Sequence, residues 1–204
     1  MRDLTWWALP GFIVAAPLAL FLCAWHIELP WGVWLLFGPI AGLLLHQCVR
    51  WRFEADGNGF RNPRRGSLAA IIDRGRLADH RDAGDLAYQV YEFVFYDQHD
   101  WGPIRDHLHR CWHYVFWFRT IAVAGAIGAG FATLALVSGA SALVALLMLI
   151  ALPTFAFMLR QKAEQTLAAL HLFDRALVLN HWPLYQAALA RLANDPLDSH
   201  RDIG

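Results

Sequence analysis

Forty consecutive residues, Thr120 to Leu159, carry no charged side chain. As one straight helix they would extend about 60 Å at ~1.5 Å per residue, twice the ~30 Å hydrocarbon core of a bilayer. Such a segment must fold back, and Ser138-Gly139-Ala140-Ser141 is its one plausible turn. Two more apolar stretches precede it. Trp6 to Trp25 is uncharged throughout, and Trp31 to Val49 is polar only near its end, at His46 and Gln47. The first stretch is longer than a signal-peptide core of ~7–15 residues, and no small-x-small cleavage site follows it, so it is expected to remain as a helix. The alternative is a large soluble helical core, but windows this long and this free of charge are rare outside membranes.

The expected fold class is therefore all-α: a polytopic membrane protein with four transmembrane helices in two hairpins and a cytoplasmic helical layer. The first hairpin takes residues 1–49 and a cytoplasmic segment takes 50–111. A second hairpin takes 112–159, and C-terminal cytoplasmic helices take 160–204. Composition agrees, with 57% hydrophobic and only 17% charged side chains. Disorder and a basic nucleic-acid surface are disfavoured, because 17 Lys+Arg balance 17 Asp+Glu. Three cysteines, Cys23, Cys48 and Cys111, are too few and odd in number for a disulfide scaffold.

Basic residues set the sidedness of a membrane chain. The linker His26 to Pro30 and the turn at 138–141 contain none, so every Lys and Arg falls on one side. Both termini and the middle segment are therefore expected in the cytoplasm of a bacterial inner membrane. The preference for arginine, sixteen against one lysine, fits a GC-rich bacterial genome. Trp6, Trp7, Trp25, Trp31, Trp51, Trp112 and Trp117 fall near span ends, where indole rings favour the headgroup layer.

Within the middle segment, Trp51 to Arg61 around Asp56-Gly57-Asn58-Gly59 reads as a short hairpin or tight loop. A calcium loop is disfavoured, since its alternating ligands and terminal Glu are missing. Ser67 is a candidate cap for a helix over Leu68–Leu77. Asp85 is a candidate cap for a second, aromatic helix over Leu86–Asp97, apolar nearly all round and so buried or interfacial. Glu92 is the one charge on that surface, read as an ion-paired or snorkelling side chain ahead of a catalytic one. From Pro103 to Ser138 no breaker occurs, which predicts one long helix. Leu159 to Leu179 continues the fourth span, and Pro183 to Ala193 is a short closing helix.

Chemistry-bearing residues concentrate at Asp106, His107, His109, Cys111 and His113. Helical spacing puts Asp106, His109 and His113 on one face. A His-x3-His pair with a carboxylate is a possible ligand set for zinc or iron. His46 at the end of the second span could add a ligand, or face His113 across a haem. The competing reading is an interfacial helix with imidazoles among headgroups, and it is preferred, so no cofactor is the first expectation. No His-Glu-x-x-His, Cys-x-x-Cys, Gly-x-Ser-x-Gly or phosphate loop occurs. Arg74 with His80, and Arg175 with His181, share a spacing seen in some helical ribonucleases, at a rate chance explains.

No charged residue lies mid-span, where ion-coupled transporters place one. A pore would therefore have to form between chains. The third span offers small residues four apart: Ala122, Ala126 and Gly130; Ala124 and Gly128; Gly125 and Ala129. Such rows let helices approach closely, within one chain or between chains. The leading expectation is a non-enzymatic, homo-oligomeric membrane component with a cytoplasmic docking or sensing face. Its partners are the lipid bilayer, further copies of itself and a cytoplasmic protein; nucleic acid is not expected. The alternatives are a metal-dependent membrane enzyme using Asp106, His109 and His113, and an accessory subunit of a larger complex.

Overall fold

A computed structural model of the chain describes residues 2–55, 90–91, 93–97 and 101–194, with side chains described over 8–52, 90–91, 93–97 and 101–191. Five helices follow in order: α1 (Arg2–Ala24), α2 (Trp31–Ala55), α3 (Gly102–Val137), α4 (Ala142–Asn180) and α5 (Trp182–Asn194). Residues 90–91 and 93–97 are helical as well. Among the described residues there is no strand. Three helices are long and apolar enough to cross a membrane, over Trp31–Arg52, Gly102–Val137 and Ala142–Asn180.

The uninterrupted pattern after Pro103 does produce one helix. α3 has 36 residues, about 54 Å at ~1.5 Å each, and so exceeds a ~30 Å hydrocarbon core. α4, with 39 residues, exceeds it too. The closing helix expected over 183–193 is α5. One local expectation is overturned: Trp51 to Ala55 is not the first arm of a hairpin but the last turn and a half of α2. Extending an existing helix fixes one residue per new hydrogen bond, whereas a hairpin needs a fresh nucleus. No glycine or proline occurs from Leu43 to Ala55 to break the helix. The rest of that hairpin reading, the helix over 68–77, the caps Ser67 and Asp85, and the Arg74–His80 pair lie outside the described residues, as does the side chain of Glu92.

The ends of α1 and α3 close in the same way. Ile27 N–H bonds Leu22 C=O and His26 N–H bonds Cys23 C=O; Ala140 N–H bonds Ala135 C=O and Gly139 N–H bonds Leu136 C=O. This paired pattern satisfies the last carbonyls of a helix and needs a left-handed residue after it. Gly139 takes that conformation at φ 83°, and His26 takes it at φ 58°. A glycine enters this region freely, a histidine at some cost.

The chain divides into two compact units: Met1–Arg52 with Trp112–Leu167, and Phe53–Cys111 with Ala168–Gly204. α3 and α4 therefore contribute to both. In the first unit, large apolar side chains point outward: Leu36 is 69% exposed, Ile150 68% and Met158 61%. Its interior mixes small and polar residues, Ala124, Ala132, Ala145, Thr120 and His46, with larger ones such as Val115, Phe116 and Ile121. A water-soluble bundle has the opposite arrangement; this one suits hydrocarbon as the surrounding solvent.

Helix contacts in this unit are backbone-close. A Cβ placed on Gly11 of α1 would overlap the Gly38 carbonyl of α2. On α3, a Cβ at Gly128 would lie 2.9 Å from Ile13 O, and one at Gly125 would lie 3.0 Å from the Ala156 Cβ. Small residues are what permit these approaches.

Candidate functional site

Two levels of the first unit carry side-chain hydrogen bonds that join its helices and turns. At one, Trp25 Nε1 at the end of α1 donates to Ser138 Oγ in the α3–α4 turn, 3.2 Å away. At the other, His46 Nδ1 on α2 meets Thr120 Oγ1 on α3 at 3.1 Å. Arg119 on α3 binds Glu164 on α4 at 2.7 Å. Thr120 and Ser138 are eighteen residues apart along the chain, about 27 Å of helix rise, close to one hydrocarbon thickness. The two polar levels thus bracket an apolar slab.

The hydrogen-bond direction at His46 follows from Thr120. The threonine hydroxyl has one proton, and it donates that proton to Phe116 C=O at 2.8 Å. Toward His46 it must accept. His46 therefore carries its proton on Nδ1. The ring also packs edge-on to Phe116, with centroids 6.2 Å apart.

The second unit is built around a buried carboxylate that sequence reading passed over. Asp174 on α4 is fully buried, and Tyr91 is 1% exposed. Tyr91 Oη donates to Asp174 Oδ1 at 2.7 Å. The Tyr91 ring stacks with Phe95 at 5.4 Å and with Tyr185 of α5 at 6.2 Å. It is thus held by two ring contacts and at its hydroxyl. Arg105 Nη1 of α3 donates to the carbonyls of Phe95 and Tyr96, 3.1 Å each.

This segment is not apolar-buried all round. Val90, Tyr91, Val94 and Phe95 are buried, whereas Phe93 and Tyr96 are half exposed. In the same unit Leu172, Phe173 and Leu179 of α4 are exposed. The unit therefore combines a locked aromatic interior with apolar outer surface.

Asp106, His109 and His113 are all exposed on α3. His109 Nε2 contacts the Tyr96 hydroxyl at 3.3 Å. His107 meets Cys111 Sγ at 3.6 Å. Among the described residues, no three of His, Cys, Asp and Glu form a group able to hold a metal ion. His46 is turned to Thr120. His181 packs on the Trp101 ring at 4.8 Å. Of the small residues singled out on α3, Gly125 and Gly128 meet α1 or α4, and Ala124 is buried. Ala126 and Gly130 are exposed, Ala122 and Ala129 are half-buried, and open space surrounds Gly130.

Gly11, Gly38 and Asp174 are the structurally decisive residues that the sequence did not mark. The glycines lie in unremarkable apolar runs. Asp174 lies inside a largely apolar run of α4, between Leu170 and Leu177.

No protein-family model, curated protein or solved structure matches the chain.

Proposed function

We propose that the chain is a non-enzymatic, homo-oligomeric component of a bacterial inner membrane whose cytoplasmic unit docks a protein partner. One observation carries the reading: the unit formed by Phe53–Cys111 and Ala168–Gly204 ties its interior through the Tyr91–Asp174 hydrogen bond while leaving Phe93, Tyr96, Leu172 and Leu179 exposed. Exposed apolar surface on a fixed scaffold is what association uses.

Topology supports the same reading. α1, with 23 helical residues, is read as a fourth crossing, paired with α2 through Gly11 and Gly38. The Lys and Arg residues fall outside the linker 26–30 and the turn 138–141, which supports a cytoplasmic placement of both termini. The exposed Ala126 and Gly130 on α3 offer a second copy a close approach. No Asp, Glu, Lys or Arg lies within residues 6–25, 31–49 or 120–159, so a hydrophilic path through them would require residues from more than one chain.

Copy number in lipid nanodiscs, measured by native mass spectrometry, tests the oligomer. Two or more copies are expected, and replacing Ala126 or Gly130 by Phe should lower the number. A strict monomer at all protein-to-lipid ratios overturns the reading.

A further inference from the structure

α1 and α2 touch at Gly11 and Gly38 but leave a groove of about 440 Å³ on the side toward their connecting loop. This lies within the ~300–1,000 Å³ that small-molecule sites span. Its depth has a simple origin. Ala15, Ala16 and Ala19 present one face of α1 with almost no side-chain volume, and Trp31 and Trp34 of α2 stand opposite. The rim is the loop, where Glu28 joins the lining.

Glu28 is the one charged residue between Asp3 and Arg50. Among the described residues it makes no ion pair or hydrogen bond. A carboxylate and two indole rings lining one apolar trough have a defined chemical complement. The carboxylate attracts a cation, indole faces bind ammonium groups within about 6 Å, and the alanine floor accommodates a hydrocarbon chain. A transmembrane helix, about 10–12 Å wide, does not enter between two helices already in contact at Gly11 and Gly38.

We propose that this groove is a lipid site for an amphiphile of the bilayer with an ammonium headgroup. Its hydrocarbon chain lies along Ala15, Ala16 and Ala19, and its ammonium sits between the Glu28 carboxylate and the Trp31 and Trp34 rings. Neither the copy number nor the docking role of the other unit enters this assignment, and the test below leaves both unmeasured.

The full chain in dodecyl maltoside micelles is exposed to three photoreactive probes with the same sixteen-carbon, diazirine-bearing chain: a trimethylammonium, an alcohol and a sulfate. Mass spectrometry of the labelled peptides reads the sites. The ammonium probe is expected to label residues 12–35 at least fivefold more than the alcohol, and the sulfate least. Glu28→Gln should bring ammonium labelling of that segment down to the alcohol level, with labelling of residues 127–134 unchanged. Ala19→Phe should reduce labelling of residues 12–35 by both the ammonium and the alcohol probe. Equal labelling by the three headgroups, or full ammonium labelling in Glu28→Gln, overturns the proposal. If Ala19→Phe fails to fold, Glu28→Gln still decides, because Glu28 is exposed and supports no contact of the helix pair.

Discussion

His46 and Thr120 join α2 to α3 through a hydrogen bond whose direction is set by Phe116, since the threonine proton is already donated to that carbonyl. The imidazole is thus a donor through Nδ1. In ¹⁵N NMR of histidine-labelled protein, His46 should show the Nδ1–H tautomer; an Nε2–H tautomer would reverse the assignment. Thr120→Val removes the acceptor. Interhelical hydrogen bonds in membranes contribute on average about 0.6 kcal/mol and at most about 1.7 kcal/mol. The variant should therefore lose about that much in SDS-titration unfolding, and the Nδ1 signal of His46 should shift.

Glycine replacements should separate by position. Gly11→Ala places a methyl on the Gly38 carbonyl, where backbone must move. Overpacking commonly costs about 1–3 kcal/mol, more where nothing can relax, so Gly11→Ala should lower the thermal midpoint in mild detergent and weaken α1–α2 pairing. Gly130→Ala meets nothing within 4 Å and removes a helix-interior glycine worth about 0.8–1.0 kcal/mol. It should be neutral or stabilising. Equal behaviour of the two variants would contradict the packing described.

The Tyr91–Asp174 bond should hold the second unit together. Hydrogen bonds to charged groups contribute about 1.5–3 kcal/mol. Tyr91→Phe should accelerate amide exchange over residues 168–194 by roughly one to two powers of ten, the factor that energy implies. Asp174→Leu should do the same, because it leaves the tyrosine hydroxyl in an apolar setting. Unchanged exchange in both variants would remove Asp174 as the keystone of that unit.

Arg119 and Glu164 should matter less than their 2.7 Å separation suggests. The Glu164 side chain is 53% exposed. Exposed pairs of this kind contribute about 0–1 kcal/mol and are screened by salt. Glu164→Ala should cost no more than about 1 kcal/mol at low ionic strength, and less in high salt. A larger, salt-independent loss would mean that the pair is sealed from solvent.

Metal content checks the histidine face of α3. Protein purified in mild detergent without chelator is expected to carry less than about a tenth of an equivalent of zinc or iron, since stable sites of this type use three or four protein ligands. His109→Ala and His113→Ala should not change that figure. One equivalent, lost in either variant, would restore the enzymatic alternative.

Periodicity and length made the helices readable in advance. Thr120 to Leu159 had to fold back, and Gly139 supplied the only residue suited to the turn. The run from Pro103 gave a helix because nothing in it stops one. The hairpin reading at Trp51 failed for a complementary reason: an alternating pattern is a weak signal beside a helix already formed and free to continue. The histidine face of α3 was legible as a spacing, but spacing along one helix says nothing of what other elements bring to it. Tyr96 comes to His109 from a separate stretch of chain, and Thr120 comes to His46 from another helix.

The amino-acid sequence alone determined the helical class, the long uncharged spans and the segregation of arginine, because these depend on hydrophobic length and local backbone preference. Tertiary structure alone decided which glycines are contacts, that Asp174 is buried on Tyr91, and that small residues on α1 opposite tryptophans on α2 leave a groove beside Glu28. Those are properties of pairs distant in sequence. Their partners are chosen by how helices pack, and packing is not written in the period of any single helix.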